Sequence, residues 1–137
     1  MEKTNYLRRI IINVGIIPVA VYDMGKKGTL AQIFKSLGEA NKICFSSKDM
    51  VDDFCREHSD KLSHHGSTFF LVRKGGGYIV VRIRVNDDNH PHFVEYGLEH
   101  FYVWSARHRV VVVKLPQKKK QKKISKLFKN RSAYFVS

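Results

Sequence analysis

The chain carries seven histidines in 137 residues. Six of them, His64, His65, His90, His92, His100 and His108, lie in the C-terminal two thirds, near Arg82, Arg84, Arg107 and Arg109. An imidazole can take or release a proton near neutral pH, and a guanidinium can clamp a phosphate with two parallel hydrogen bonds. Metal-independent cleavage of RNA needs such parts: a base for the 2′-hydroxyl, an acid for the leaving oxygen, and a cation for the charged phosphorane-like state. His92, His100 and Arg82 are the residues expected to carry that chemistry if the protein is an enzyme. Separation along the chain says nothing about proximity in space, and loop histidines are common at surfaces.

A metal-dependent alternative rests on positions 87–92, where Asp87, Asp88, His90 and His92 could converge on one ion. Asp, Asn and Pro are also the residues a tight turn favours, so a plain connection is the expectation, with no metal and no cofactor. There is no CxxC, P-loop, GxSxG or HExxH motif, and the triple glycine Gly75-Gly76-Gly77 is not followed by the helix a phosphate-cradling loop requires.

Binding without catalysis has two candidate surfaces. One is the tail, where Lys118, Lys119, Lys120, Lys122 and Lys123 are followed by Lys126, Lys129 and Arg131 with no acidic residue among them. Lysines that neutralise phosphates release condensed counterions and give sequence-independent, salt-sensitive affinity; a solubilising or localisation tail is the plainer reading. The other is a sheet face on which Tyr78, Arg82 and Arg84 line up with His100, Tyr102 and Trp104, flanked by Arg107 and Arg109. Aromatics interleaved with cations can stack unpaired bases and hold their phosphates. The competing reading is that a helix covers this face, the aromatics are core, and Arg82 and Arg84 pair with Glu95 and Glu99.

These side chains need a scaffold, and the apolar pattern supplies one. Residues 6–12 and 16–22 are rich in Ile and Val around the turn signal Val14-Gly15, which predicts two strands, with Pro18 pushing that part toward a sheet edge or bulge. Thr29 and Gln32 form a capping-box pattern ahead of Leu30, Ile33, Phe34 and Leu37 on one helical face, stopped at Gly38. A second helix starts near Ser46-Ser47 and carries Met50, Val51, Phe54, Cys55, His58 and Leu62, ending at His64-His65-Gly66. Residues 69–73 and 78–85 flank the glycines as a hairpin whose core face is Ile79, Val81, Ile83 and Val85. Residues 92–96 read as a short extended piece, and 98–104 and 109–115 as a final strand pair joined by the turn 105–108. The expected fold is α+β, with two N-terminal helices packed on a mostly antiparallel sheet of four to six strands. Residues 1–116 are expected to form one domain and 117–137 a Lys-rich basic segment.

With 25 Lys and Arg against 12 Asp and Glu, the net charge is +13. A polyanion is the implied partner, nucleic acid first, then an anionic membrane surface or an acidic protein. Cys44 and Cys55 sit in apolar patterns and read as reduced, buried thiols, which suits the cytoplasm. The apolar stretch 10–21 is interrupted by Asn13, Gly15 and Pro18, and is too short to span a bilayer. In its order of helices followed by a strand meander, the chain resembles the small barnase- and RelE-like ribonucleases. That likeness covers topology and no signature residue, and a fold of this kind would suit a small endoribonuclease. The primary expectation is therefore a binder of single-stranded RNA or DNA that uses the sheet face and the tail. The alternatives are a toxin-like, phage or plasmid ribonuclease, and an inhibitor or adaptor gripping an acidic protein.

Overall fold

The computed structural model describes residues 8–86 and 90–114 of the chain. Strands β1 (Arg8–Val14) and β2 (Ile17–Asp23) form the first hairpin, turned at Gly15, whose φ of 62° favours a residue without a Cβ. Three helices follow: α1 (Leu30–Leu37), α2 (Ala40–Ile43) and α3 (Lys48–Glu57). A single 3-10 turn, Ser59–Lys61, leads out of them. The capping box read from the sequence is present: Thr29 Oγ1 accepts from the Gln32 backbone N–H at 3.2 Å, and Gln32 Oε1 accepts from that of Thr29 at 2.9 Å. Strands β3 (Ser67–Lys74), β4 (Gly77–Val85), β5 (Pro91–Gly97) and β6 (Arg109–Val113) complete one six-stranded sheet in the order β1-β2-β6-β3-β4-β5. The sheet is mixed, because β3 and β6 run parallel while the other four pairings are antiparallel.

Helices cover both faces of this sheet, which corrects the single helical layer expected from the sequence. Leu30, Ile33 and Phe34 of α1, with Ile43 of α2, pack on Ala20, Tyr22, Phe69, Leu71, Val80, Val110 and Val112. Val51 and Phe54 of α3 pack on the opposite face, against Val19, Val21, Phe70, Val72, Val81, Ile83 and Val111. Strand β3 explains the arrangement: all six residues from Ser67 to Val72 are buried, so both of its faces need cover. The Phe69-Phe70-Leu71-Val72 run without alternation carries that message in the sequence. The face with Val80 is thus as much core as the expected one with Val81 and Ile83.

Two further expectations are corrected. Residues 98–104 are not a strand: β5 takes the free side of β4, and the following segment touches strand geometry only where Trp104 bridges Gly28. Strand β6 pairs with β2 and β3 instead of with the segment preceding it. The stretch closest along the chain takes the free side of β4 as β5, and the later segment buries its largest apolar group, Trp104, on the α1 face. Pro18 lies inside the sheet rather than at its edge. It stands opposite Asn13, one residue before the β2–β6 ladder begins at Val19, so its missing N–H interrupts nothing on that side.

Among the described residues no helix is long and apolar enough to cross a membrane. Cys44 and Cys55 are partly buried rather than buried as expected, Cys44 against the α1 cluster and Cys55 against the α3 cluster, and both are free thiols. Burial, and secondarily Asp52, pushes the Cys55 thiol up to about 12, which keeps it protonated.

Candidate functional site

Strand direction gathers one end of the sheet into a polar cluster. Ser67 at the start of β3 pairs with Arg84 near the end of antiparallel β4, and Arg84 pairs in turn with His92 at the start of β5. Because β6 runs parallel to β3, with Thr68 beside Arg109, the preceding His108 arrives next to Ser67. The backbone N–H of Ser67 donates to His108 Nδ1 at 2.8 Å. Cross-strand neighbours share a face, so His108, Ser67, Arg84 and His92 form a row across this end of the sheet.

A cleft of about 640 Å³ opens on this row, lined by His64, His65, Arg82, Arg84, Arg107 and His108, with Gly66, Ser67, Val85 and Asn86 completing the wall. Among the described residues no carboxylate lines it. Two smaller depressions adjoin it. One shares His64, His65, Arg107 and His108 and extends toward Asp23 and Arg109; the other shares Arg82, Arg107 and His108 and extends toward Lys27 and Tyr102.

Arg82 is held from three sides. Its Nε donates to Ser67 Oγ at 2.7 Å and its Nη1 to the Tyr96 hydroxyl at 3.1 Å, and its guanidinium carbon lies 4.9 Å from the centre of the Trp104 ring. Such a fixed cation loses little freedom when it meets an anion. Nη2 has no partner among the described residues. Neither have the side chains of Arg84 and Arg107, both exposed.

His108 is buried between the rings of Phe69 and Trp104, at centroid distances of 5.5 and 5.6 Å. Burial, aided by Arg107, Arg82 and Arg84, lowers its pKa from 6.5 to about 4. The ring is therefore neutral at physiological pH. Since Nδ1 accepts the Ser67 N–H, the ring proton resides on Nε2. Gly66 permits the close approach of the two loops: a Cβ there would come within 2.8 Å of His108 Nδ1 and 2.9 Å of the Arg107 carbonyl.

The expected site residues divide. Arg82, Arg84 and Arg107 line the cleft. His92 stands at its rim, opposite Arg84, with Nε2 2.6 Å from the side-chain nitrogen of cleft residue Asn86. Tyr102 and Trp104 flank it, Trp104 as core and Tyr102 exposed. His100 lies outside, against Tyr96 and Phe101. Tyr78 is at the far end of β4, roughly 20 Å from Arg84 at strand rise, beneath the Arg73 guanidinium. Arg109 is engaged within the fold, donating to Asp23 at 2.7 Å and to the Lys61 carbonyl at 2.8 Å. The carboxylate pairing weighed for Arg82 and Arg84 is not present among the described residues, since Glu95 binds Lys48 and Lys74. Lys118, Lys119, Lys120, Lys122 and Lys123 lie outside the described residues, as do Asp87 and Asp88 of the candidate metal loop. Among the described residues, no group of three or more His, Cys, Asp or Glu is placed to hold a metal ion.

Sequence pattern counts His64, His65 and His108 among the histidines near the arginines without selecting them, and assigns no site role to Gly66, Ser67 or Asn86. The usable signal for them is positional: His64-His65-Gly66 directly precedes one strand and Arg107-His108 another, and parallel pairing brings such starts together. Comparisons with protein-family models, with curated proteins and with solved structures return no match.

Proposed function

We propose that the protein binds the phosphodiester backbone of single-stranded nucleic acid, RNA foremost, in the cleft at the open end of the sheet. One observation carries this reading: three guanidinium and three imidazole groups line a single cavity that, among the described residues, contains no carboxylate. Cations gathered in one concave wall focus a positive potential, and phosphate is the anion whose geometry suits Arg. A duplex reader would present a helix rich in Arg, Asn or Gln to the major groove, whereas exposed positions of α3 include Asp49, Asp52 and Glu57. The Lys-rich segment 117–137 adds general affinity to this scheme, and two cysteines without a CxxC pattern suit a cytoplasmic setting.

The test is gel retardation of labelled single-stranded RNA, duplex RNA and duplex DNA by the full-length protein, with chelator present throughout. Retention of the single strand at low ionic strength is expected. Arg84→Gln and Arg107→Gln should each weaken it about tenfold, the scale of one lost charge-assisted contact. Indifference of the protein to every polynucleotide would discard the proposal, and salt-sensitive capture by an acidic protein instead would favour the adaptor reading.

A second reading, a metal-independent endoribonuclease, is favoured by the imidazoles at the same cleft: His64, His65 and His108 in its wall and His92 at its rim. In that chemistry the 2′-hydroxyl proton passes to one imidazole as the 2′-oxygen bonds to phosphorus. The bond to the 5′-oxygen breaks and that oxygen takes a proton, while Arg82 and Arg84 hold the charged phosphoryl oxygens. Chelator-resistant cleavage in the retardation assay, lost in His92→Ala or His64→Ala with binding retained, is the result this reading must produce.

A further inference from the structure

The cleft has a neighbour of different chemistry. A depression of about 390 Å³ beside it is lined by Lys27, Arg82, Tyr102, Val103, Trp104 and Arg107, among others, a size that suits a small flat ligand. Its outer wall belongs to a segment that exposes apolar side chains: Phe101 at 86%, Tyr102 at 53% and Val103 at 50%. Three consecutive exposed apolar residues are out of keeping with a monomer surface unless they meet something.

The segment is firmly seated. Trp104 exchanges two backbone hydrogen bonds with Gly28, at 2.8 and 3.1 Å, and its ring lies edge-on to that of Tyr102 at 4.5 Å. Arg82 rests on the Trp104 ring, so cation and aromatics form one supported block. Trp104 Nε1 is the one buried side-chain polar atom without a partner among the described residues. A donor left that way costs stability unless a ligand group reaches it.

We infer that this depression receives one unpaired nucleobase, stacked against Tyr102, while the phosphate of the same strand lies in the cleft across Arg82 and Arg107. The inference deepens the nucleic-acid reading above and rests on it. Arg82, Arg107 and His108 line both cavities, so the two adjoin. A base held there must be free of its duplex partner, because the stacking face is available only when the base leaves the helix. Preference for single strands thus follows from the depression and general affinity for phosphate from the cleft.

The protein contains a single tryptophan, so its intrinsic fluorescence reports on this block. Titrating full-length protein with an unstructured RNA oligonucleotide should change the Trp104 emission, whereas inorganic polyphosphate should bind with little change. Tyr102→Ala should weaken the oligonucleotide about tenfold and leave polyphosphate affinity as it was, and Tyr102→Phe should restore the oligonucleotide. An unaltered ratio of oligonucleotide to polyphosphate affinity in Tyr102→Ala would overturn the base site alone. Failure of the unmodified protein to bind either probe would remove the phosphate reading with it.

Discussion

His108 is neutral because its ring is enclosed by Phe69 and Trp104 and surrounded by guanidinium groups, conditions that disfavour a second proton. The consequence for stability has a definite sign. Below pH 6.5 the unfolded imidazole takes up a proton, but the folded one does so only near pH 4. Stability from this group is therefore complete above pH 6.5 and declines as the pH falls toward about 4, by on the order of 3 kcal/mol. An asparagine side chain in its place keeps an acceptor for the Ser67 N–H and cannot titrate. Denaturant unfolding of His108→Asn should consequently show a shallower loss between pH 6.5 and 4 than the unmodified protein, and parallel curves would count against this account. The same neutrality fits His108 for donating a hydrogen bond through Nε2, and leaves any proton transfer to the other imidazoles.

Strand β3 and helix α1 contribute in different ways. Phe70 is fully buried and meets Phe45 and Phe54 edge-on at centroid distances of 5.5 and 5.1 Å, so truncation leaves a cavity that its neighbours cannot fill. Phe70→Ala should cost about 3–5 kcal/mol and, since β3 also positions Ser67, should weaken nucleic-acid binding near its lowered melting temperature. Thr29→Ala removes one half of a reciprocal cap and should cost about 1 kcal/mol, with binding at room temperature unchanged. Thermal unfolding of the two variants checks both values. At this level the sequence is legible where local rules act alone. The capping box and apolar stripe of α1 and the glycine-turned hairpins stand where residue types and periodicity put them, whereas α3 starts as expected but ends at Glu57, leaving His58 and Leu62 of its expected stripe beyond the helix and a 3-10 turn between them. The segment 98–104 misleads because its alternation of aromatic and other side chains satisfies a strand pattern, whereas the free side of β4 is taken by β5 and Trp104 is drawn into the α1 core.

Among the described residues, α3 and the cleft differ in charge. The acidic positions Asp49, Asp52, Asp53 and Glu57 belong to α3 on one face of the sheet, and the cationic cleft opens at the end of the other face. A polyanion approaching from solution is steered toward the cleft side. The Lys-rich segment would add to that steering without supplying shape. Replacing Lys118, Lys119, Lys120, Lys122 and Lys123 by Gln should lower the steepness with which RNA affinity falls as salt rises, by up to about 0.7 in the logarithmic slope for each lysine that meets a phosphate. Preference for single-stranded over duplex RNA should persist if, as proposed, it belongs to the Tyr102 depression. Affinity measured over a series of salt concentrations separates the two contributions, and a lost preference would place recognition in the segment instead.

The amino-acid order by itself determined the cationic character, the α+β class and most element positions, because net charge, periodicity and capping are sums over near neighbours in the chain. The site was a different matter. Its residues come from the loop before β3, the end of β4, the start of β5 and the loop before β6, and they meet only because β3 and β6 run parallel while β4 reverses. The run Phe69-Phe70-Leu71-Val72 shows that β3 needs cover on both faces, but which strands become its neighbours is settled by long-range burial that no local pattern encodes. That pairing selected Arg82, Arg84 and Arg107 for the cleft, committed Arg109 to Asp23, and left His100 and Tyr78 elsewhere.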